Sequence, residues 1–352
     1  MAMAKLLNDG IPDIDDNIRS TRNILYRGLC FGVELEIEAP GLYPMAGFDE
    51  DYDPDDEDSL PPINPPVLPH GWQVVEEHSI DGPEVITAGA YAFDDMVTNI
   101  RAIFEDVRAK GFEPRRTCRG STHIHMNCQD LTWRQLRNVL LCCAWAEPFL
   151  IEMAGKGRRG NLFAMSYRDA PLGWAEIINS IRARFLRLYN DTHYMAISFY
   201  SLTHLGTIEF RMPPSSRNAD EAITWLEWIR DIGEAGRSTG DVAVDTMPPQ
   251  LLGLYFAVPP ARRDRLLRQA QEQVLEIADL LDLPYMDKRK PTKKQSEGFI
   301  SDYELMSLAQ TSPSLALTIP PGWMGLDSIS TPVQLDSMPS PSLYTFPTTE
   351  GE

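Results

Sequence analysis

Three separate segments of this chain alternate apolar and ionisable residues with a period of two, and all three place their ionisable side chains on one parity. In "FGVELEIEA", residues 31 to 39, Val33, Leu35 and Ile37 interleave with Glu34, Glu36 and Glu38. In "STHIHMNC", residues 121 to 128, Ile124 and Met126 interleave with His123 and His125. In "GTIEFRM", Ile208 and Phe210 interleave with Thr207, Glu209 and Arg211. A strand turns successive side chains to opposite faces, so residues two apart share a face about 6.6 Å apart. These patterns predict a sheet with one face for a core and another lined by carboxylates, imidazoles and a guanidinium. Glu84, after the turn at Asp81-Gly82, begins a further strand and adds a fourth edge.

Such a face is costly unless something neutralises it. Two carboxylates about 5 Å apart repel by about 3 kcal/mol at an effective dielectric near 20, and each further one adds a similar amount. If Glu34, Glu36, Glu84 and Glu209 share a face, divalent cations are the natural counterions. Oxygen donors with one imidazole favour Mg²⁺ or Mn²⁺. Arg211 beside Glu209 adds a place for an anion, and cations with an adjacent arginine suit nucleotide phosphate. Each piece alone has a plainer meaning: a solvated strand face, two ordinary strand histidines, a surface ion pair. Their coincidence on one face is what points to a site.

Around these strands the chain reads as a mixed α and β protein. "GWQVVEEHS" and "PEVIT" read as two further strands, and "HYMAISFY" as another, joined to "GTIEFRM" through the tight "SLTHLG". Helices are expected at 94–110, from Thr132 towards Gly155 with a capping box to Gln135 and a disturbance at Pro148, at 174–189, from Asn218 to about Ile232, and at 261–282. The chain divides into an N-terminal extension at 1–27, a main domain at 28–235 with an acidic, proline-rich insertion at about 41–69, a helical region at 236–310, and a Pro/Ser/Thr-rich tail at 311–352 expected to be disordered. Residues 49–58 of the insertion carry eight acids in ten positions, a run that suits a solvated, self-repelling segment.

Composition excludes several classes. A formal net charge of −19 lacks the basic footprint of a general nucleic-acid binder. The longest apolar stretch, "NVLLCCAWAEPFLIEM", is interrupted by Glu147 and Pro148 before the roughly twenty residues a bilayer needs, so a soluble protein is expected. Five cysteines, an odd number, suit buried free thiols in a reducing cytoplasm. "GKGRRG", residues 155–160, fits a dinucleotide-binding pattern only in letters, because it follows a helix; its basic residues make it either a plain surface loop or one that closes over an anion.

Taken together, "GVELEI", "DGPEVIT", "HIHM", "MSYRD" and "HYMAISFYSLTHLGTIEFRM" resemble, in order from about residue 28 to 217, the amidoligases. These are carboxylate-amine ligases of the glutamine synthetase and glutamate-cysteine ligase superfamily. The resemblance implies an α+β fold, a curved antiparallel sheet of the glutamine synthetase catalytic type with helices packed on its outer face. It also implies ATP and Mg²⁺ or Mn²⁺ as cofactors. Glu34, Glu36, Glu84, His123 and Glu209 would be metal ligands, His125 and Arg211 would meet the nucleotide phosphates, and Glu209 with Arg211 would serve the chemistry. The implied reaction joins a small-molecule or peptide carboxylate to an amine through an acyl phosphate. Two other classes compete: a zinc hydrolase built on His123, His125, His193 and His204, and a non-catalytic binding protein on the same fold.

Overall fold

The computed structural model describes residues 26–39, 42, 67–75, 80, 82–117, 119–158, 164–184, 186, 188 and 194–283. Most of the N-terminal extension, nearly all of the acidic insertion, the C-terminal tail, His193 and Cys118 lie outside them. The described strands form one open, wholly antiparallel sheet. They are β1 (Phe31–Glu36), β2 (Trp72–Val75), β3 (Glu84–Thr87), β4 (Thr122–Asn127), β5 (Ile197–Ser198) and β6 (Thr207–Phe210), in the spatial order β2-β3-β1-β4-β6-β5. The three alternating segments supply the central strands β1, β4 and β6. Their apolar parity is the core: Val33, Leu35, Ile124, Met126, Ile208 and Phe210 are all buried.

The helices are α1 (Phe93–Ala109), α2 (Trp133–Ala154), α3 (Pro171–Ala183), α4 (Ala219–Gly236), α5 (Leu252–Ala257) and α6 (Pro260–Asp282). They build outward from the sheet: α4 packs on β4 with α1 beside it, α2 packs on α4, and α6 covers α2. This order explains why α2 reads as apolar on nearly every side, since a helix with neighbours on both flanks has no solvent stripe to keep polar. The Thr132–Gln135 capping box opens α2 as the sequence predicts. The expected disturbance at Pro148 does not break the helix, which continues to Ala154. Packing from α4 and α6 outweighs the lost backbone bond there.

Other boundaries shift for local reasons. The helix expected at 174–189 runs from Pro171 to Ala183, because proline at the first position starts it early and Arg184, left-handed at φ 52°, stops it. The strand expected over 193–200 shrinks to Ile197–Ser198, since the backbone turns into a 3-10 helix at Tyr200–Leu202. A short helix, α5, forms between α4 and α6, where no element is expected from the sequence.

Close helix approach is written in α4. A Cβ added at Gly236 would lie 2.7 Å from Val139 Cα and 2.9 Å from Val139 N, so the two backbones touch through the missing side chain. Gly236→Ala is expected to force α2 and α4 apart and to cost about 2 kcal/mol, read as a lower thermal midpoint. An unchanged midpoint would mean the helices have room to part.

Cys30, Cys128, Cys142 and Cys143 are free and buried, and burial pushes the thiols of Cys128 and Cys142 up to about 12. Among the described residues, no helix is long and apolar enough to cross a membrane.

Candidate active site

Strand register assembles the ionisable face. Glu34 lies opposite His123, Glu36 opposite Glu84, and His125 opposite Glu209, so four strands contribute to one patch. The side chains close the gaps between strands. Glu34 is the hub: its Oε2 lies 2.9 Å from His123 Nδ1 and its Oε1 lies 3.1 Å from His125 Nε2. His123 also stands 3.7 Å from carboxylate oxygens of both Glu36 and Glu209. Arg211 is ion-paired with Glu209 Oε1. The patch is a depression, since the Glu34 side chain is 31% exposed whereas that of Glu209, at its floor, is only 3% exposed.

Buried charge here is mutually compensated. Burial pushes the Glu34 carboxyl up, but hydrogen bonds and charge from His123 and His125 prevail and hold it well below the usual carboxylate range. Glu209 is likewise lowered, with burial outweighed by the charges of His125, Arg211 and His123. For His125 burial favours the neutral ring, yet the hydrogen bond and charge of Glu34 and the charge of Glu209 raise its pKa.

A ring of polar groups fixes these side chains. Ser121 donates to Glu36 Oε2 from its backbone nitrogen at 2.6 Å and lies 3.0 Å from it through its hydroxyl. Thr207 Oγ1 lies 3.1 Å from His125 Nδ1. Ser201, on the 3-10 helix, donates to Glu209 Oε2 at 3.3 Å. Sequence reasoning missed Ser121 and Ser201. Ser121 had a signal, because it shares the parity of His123 and His125; Ser201 had none, as it reaches the face from a turn.

Among the described residues, two groups of three could hold a cation, and each keeps its ligand atoms within 4.8 Å of one another: Glu34 with Glu84 and His123, and Glu34 with His125 and Glu209. Both combine two carboxylates with one imidazole and share Glu34. That oxygen-rich set fits hard divalent cations such as Mg²⁺ or Mn²⁺ better than zinc, which favours nitrogen and sulfur donors. Of the residues expected from the sequence to form the site, Glu34, Glu36, Glu84, His123, His125 and Glu209 lie on strands that meet at this patch or at its edge, and Arg211 directly follows β6. His204, required by the zinc reading, is exposed, lies with its ring tilted against Tyr200 at 4.7 Å between centroids, and belongs to neither group.

Residues 83–232 match the family model described as "Putative amidoligase enzyme". Over that stretch the chain is similar to the amidoligases. Glu84, His123, His125, Glu209 and Arg211 fall inside the matched amidoligase region, whereas Glu34 and Glu36 precede it and join it through strand pairing. A solved structure described as "Crystal structure of novel glutamine synthase homolog" aligns over 77% of this chain and 69% of its own, at 12% identity and a TM-score of 0.31, a likeness too remote to bear on the chemistry. No curated protein matches the chain.

The basic loop after α2 does not reach over the ionisable patch with Arg158. That side chain is buried and donates to the carbonyls of Gly120, just before β4, and Pro213, just after β6. Arg158 therefore braces the backbone of the site.

Proposed function

We propose that this protein is an ATP-dependent carboxylate-amine ligase that makes an amide or isopeptide-type bond through an acyl phosphate. The observation that carries the reading is the pair of three-ligand groups hinged on Glu34, with the Arg211 guanidinium beside them. In this reading the sheet is the catalytic sheet of the glutamine synthetase type. Residues 28–235 form the catalytic unit and the following helical region braces it through α6. Glu34, Glu36, Glu84, His123 and Glu209 would hold Mg²⁺ or Mn²⁺, which when bound shields the triphosphate and draws charge from the γ-phosphoryl oxygens.

The chain's own residues supply the rest. Arg211 offers a fork of donors to the transferring phosphoryl group, and His125 adds a donor on the same side. Ser121 and Thr207 keep Glu36 and His125 in one orientation, so little reorganisation is needed when charge moves. A substrate carboxylate oxygen attacks the γ-phosphorus as the bond to ADP breaks. The amine nitrogen then attacks the acyl carbon, loses a proton and expels inorganic phosphate. The acid is a small-molecule or peptide carboxylate, and the reaction belongs in the cytoplasm, where ATP is supplied and buried thiols persist.

The test is ADP release from ATP and Mg²⁺ across a panel of carboxylate and amine pairs, expected only when both partners are present. Glu209→Gln is expected to lower that rate about a hundredfold while the circular dichroism spectrum stays unchanged. Amide hydrolysis without ATP, or full turnover in the variant, would overturn the reading.

A further inference from the structure

Ser198 on β5, like Trp72 on β2, carries a buried polar atom that no other described residue satisfies. It is fully buried, and its hydroxyl has no hydrogen-bond partner among the described residues. A hydroxyl left so costs about 1–3 kcal/mol, and alanine would fill the same place without that penalty. The position is not arbitrary, because β5 pairs with β6 so that Ser198 stands directly opposite Glu209, on the ionisable face. Side chains so paired have Cβ atoms about 5 Å apart, within reach of a carboxylate that rotates.

The two ends of Glu209 are held unequally. Its Oε1 is ion-paired with Arg211. Its Oε2 has Ser201 at 3.3 Å, long for a hydroxyl donating to a carboxylate, where about 2.7 Å is usual. The carboxylate is thus slack on its serine side and tight on its arginine side. As long as that ion pair lasts, a strong donor of Arg211 is spent within the protein. For Arg211 to present that edge of its guanidinium to an anionic ligand, Glu209 must give up the hydrogen bond while almost wholly buried, and a buried carboxylate that loses a donor is expensive.

We propose that Ser198 is a positioning residue for Glu209: its hydroxyl is the reserve donor that receives the carboxylate when Arg211 turns to the phosphates of a bound nucleotide. The exchange balances, since one N–H to oxygen bond is replaced by one O–H to oxygen bond on the same carboxylate. Ser201 and Ser198 then form a two-hydroxyl rest behind Glu209, with one engaged in the resting protein and the other held in waiting. This rests on the ligase reading, because it needs a cation and a phosphate-bearing ligand at the patch.

The test uses the full chain, Ser198→Ala and Ser201→Ala, with three readouts: melting of the metal-free protein, binding of Mn²⁺ alone followed by its electron paramagnetic resonance, and binding of inorganic tripolyphosphate in the presence of Mn²⁺. Without metal, Ser198→Ala is expected to melt at the wild-type temperature or above it, since it removes an unsatisfied group. Ser201→Ala is expected to melt lower, since it breaks an existing bond. In Ser198→Ala, Mn²⁺ and tripolyphosphate affinities are expected to fall about tenfold, the scale of losing a group that orients a ligand side chain. If Ser198→Ala destabilises the metal-free protein, the hydroxyl is already satisfied there and the proposal fails. If wild type binds Mn²⁺ and the variant binds it and tripolyphosphate equally well, the role of Ser198 falls while the ligase reading stands. If wild type binds no Mn²⁺, the ligase reading fails and takes this inference with it.

Discussion

Glu34→Gln is expected to remove both cation positions in one substitution. Glu34 belongs to each of the two candidate ligand groups, and its two oxygens engage the two histidines that complete them. Glutamine keeps the shape but replaces one oxygen with a donor and removes the charge, leaving each group with one carboxylate and one imidazole. Mn²⁺ titration should show affinity weakened by about a hundredfold or more at both positions, and turnover should fall about a thousandfold. A second signature is independent of turnover. The proton on His125 is held chiefly by Glu34 against a burial effect of opposite sign. Without the Glu34 charge, burial gains weight, so the His125 pKa should drop in a nuclear magnetic resonance titration. A variant that retains one tight Mn²⁺ position would show that Glu34 does not bridge the two groups.

The second large effect lies away from the patch. Glu147, on α2, is buried at 1% exposure, and desolvation pushes its carboxyl up to about 7 from an ordinary 4.5, against hydrogen bonds from Gln273 and the Tyr167 backbone that favour the charged form. The folded protein therefore binds a proton that the unfolded chain has released between about pH 4.5 and 7. Stability must fall as pH rises through that window and level off above it, by about 3 kcal/mol from this one group. Glu147→Gln cannot ionise. Its carbonyl can still accept from Tyr167, and its amide faces Gln273, whose Oε1 has no partner among the described residues. The variant should match wild type near pH 5 and melt several degrees higher at pH 8. Melting curves at those two values decide it, and an equal pH dependence in both proteins would show that Glu147 does not carry the proton. Glu147 also lines a cleft of about 210 Å³ with Arg158, Ser166, Arg168, Arg265 and Gln269, none of which belongs to the ionisable face.

Why the patch was legible from the chain, and the details around it less so, has a physical basis. Parity along a strand is rigid, so Glu34 with Glu36 and His123 with His125 declare a shared face before any partner strand is known. The register that sets Glu34 against His123 and His125 against Glu209 is a property of pairing between distant segments, and alternation alone does not contain it. The capping box at Thr132 is local and was readable; the survival of α2 through Pro148 depends on α4 and α6, and was not. Ser198 and Ser201 illustrate the same limit. Each lies in a segment whose extended pattern is cut short by tertiary contacts, and only the fold reveals that Ser201 reaches Glu209 and that Ser198 stands opposite it.

The pairing of Arg211 with Glu209, and of both histidines with Glu34, means that the patch supplies part of its own countercharge. Folding then does not wait for a ligand to cancel the repulsion among its glutamates. Chelators should strip the protein without melting it, and occupancy can follow the supply of metal and nucleotide while the scaffold stays intact.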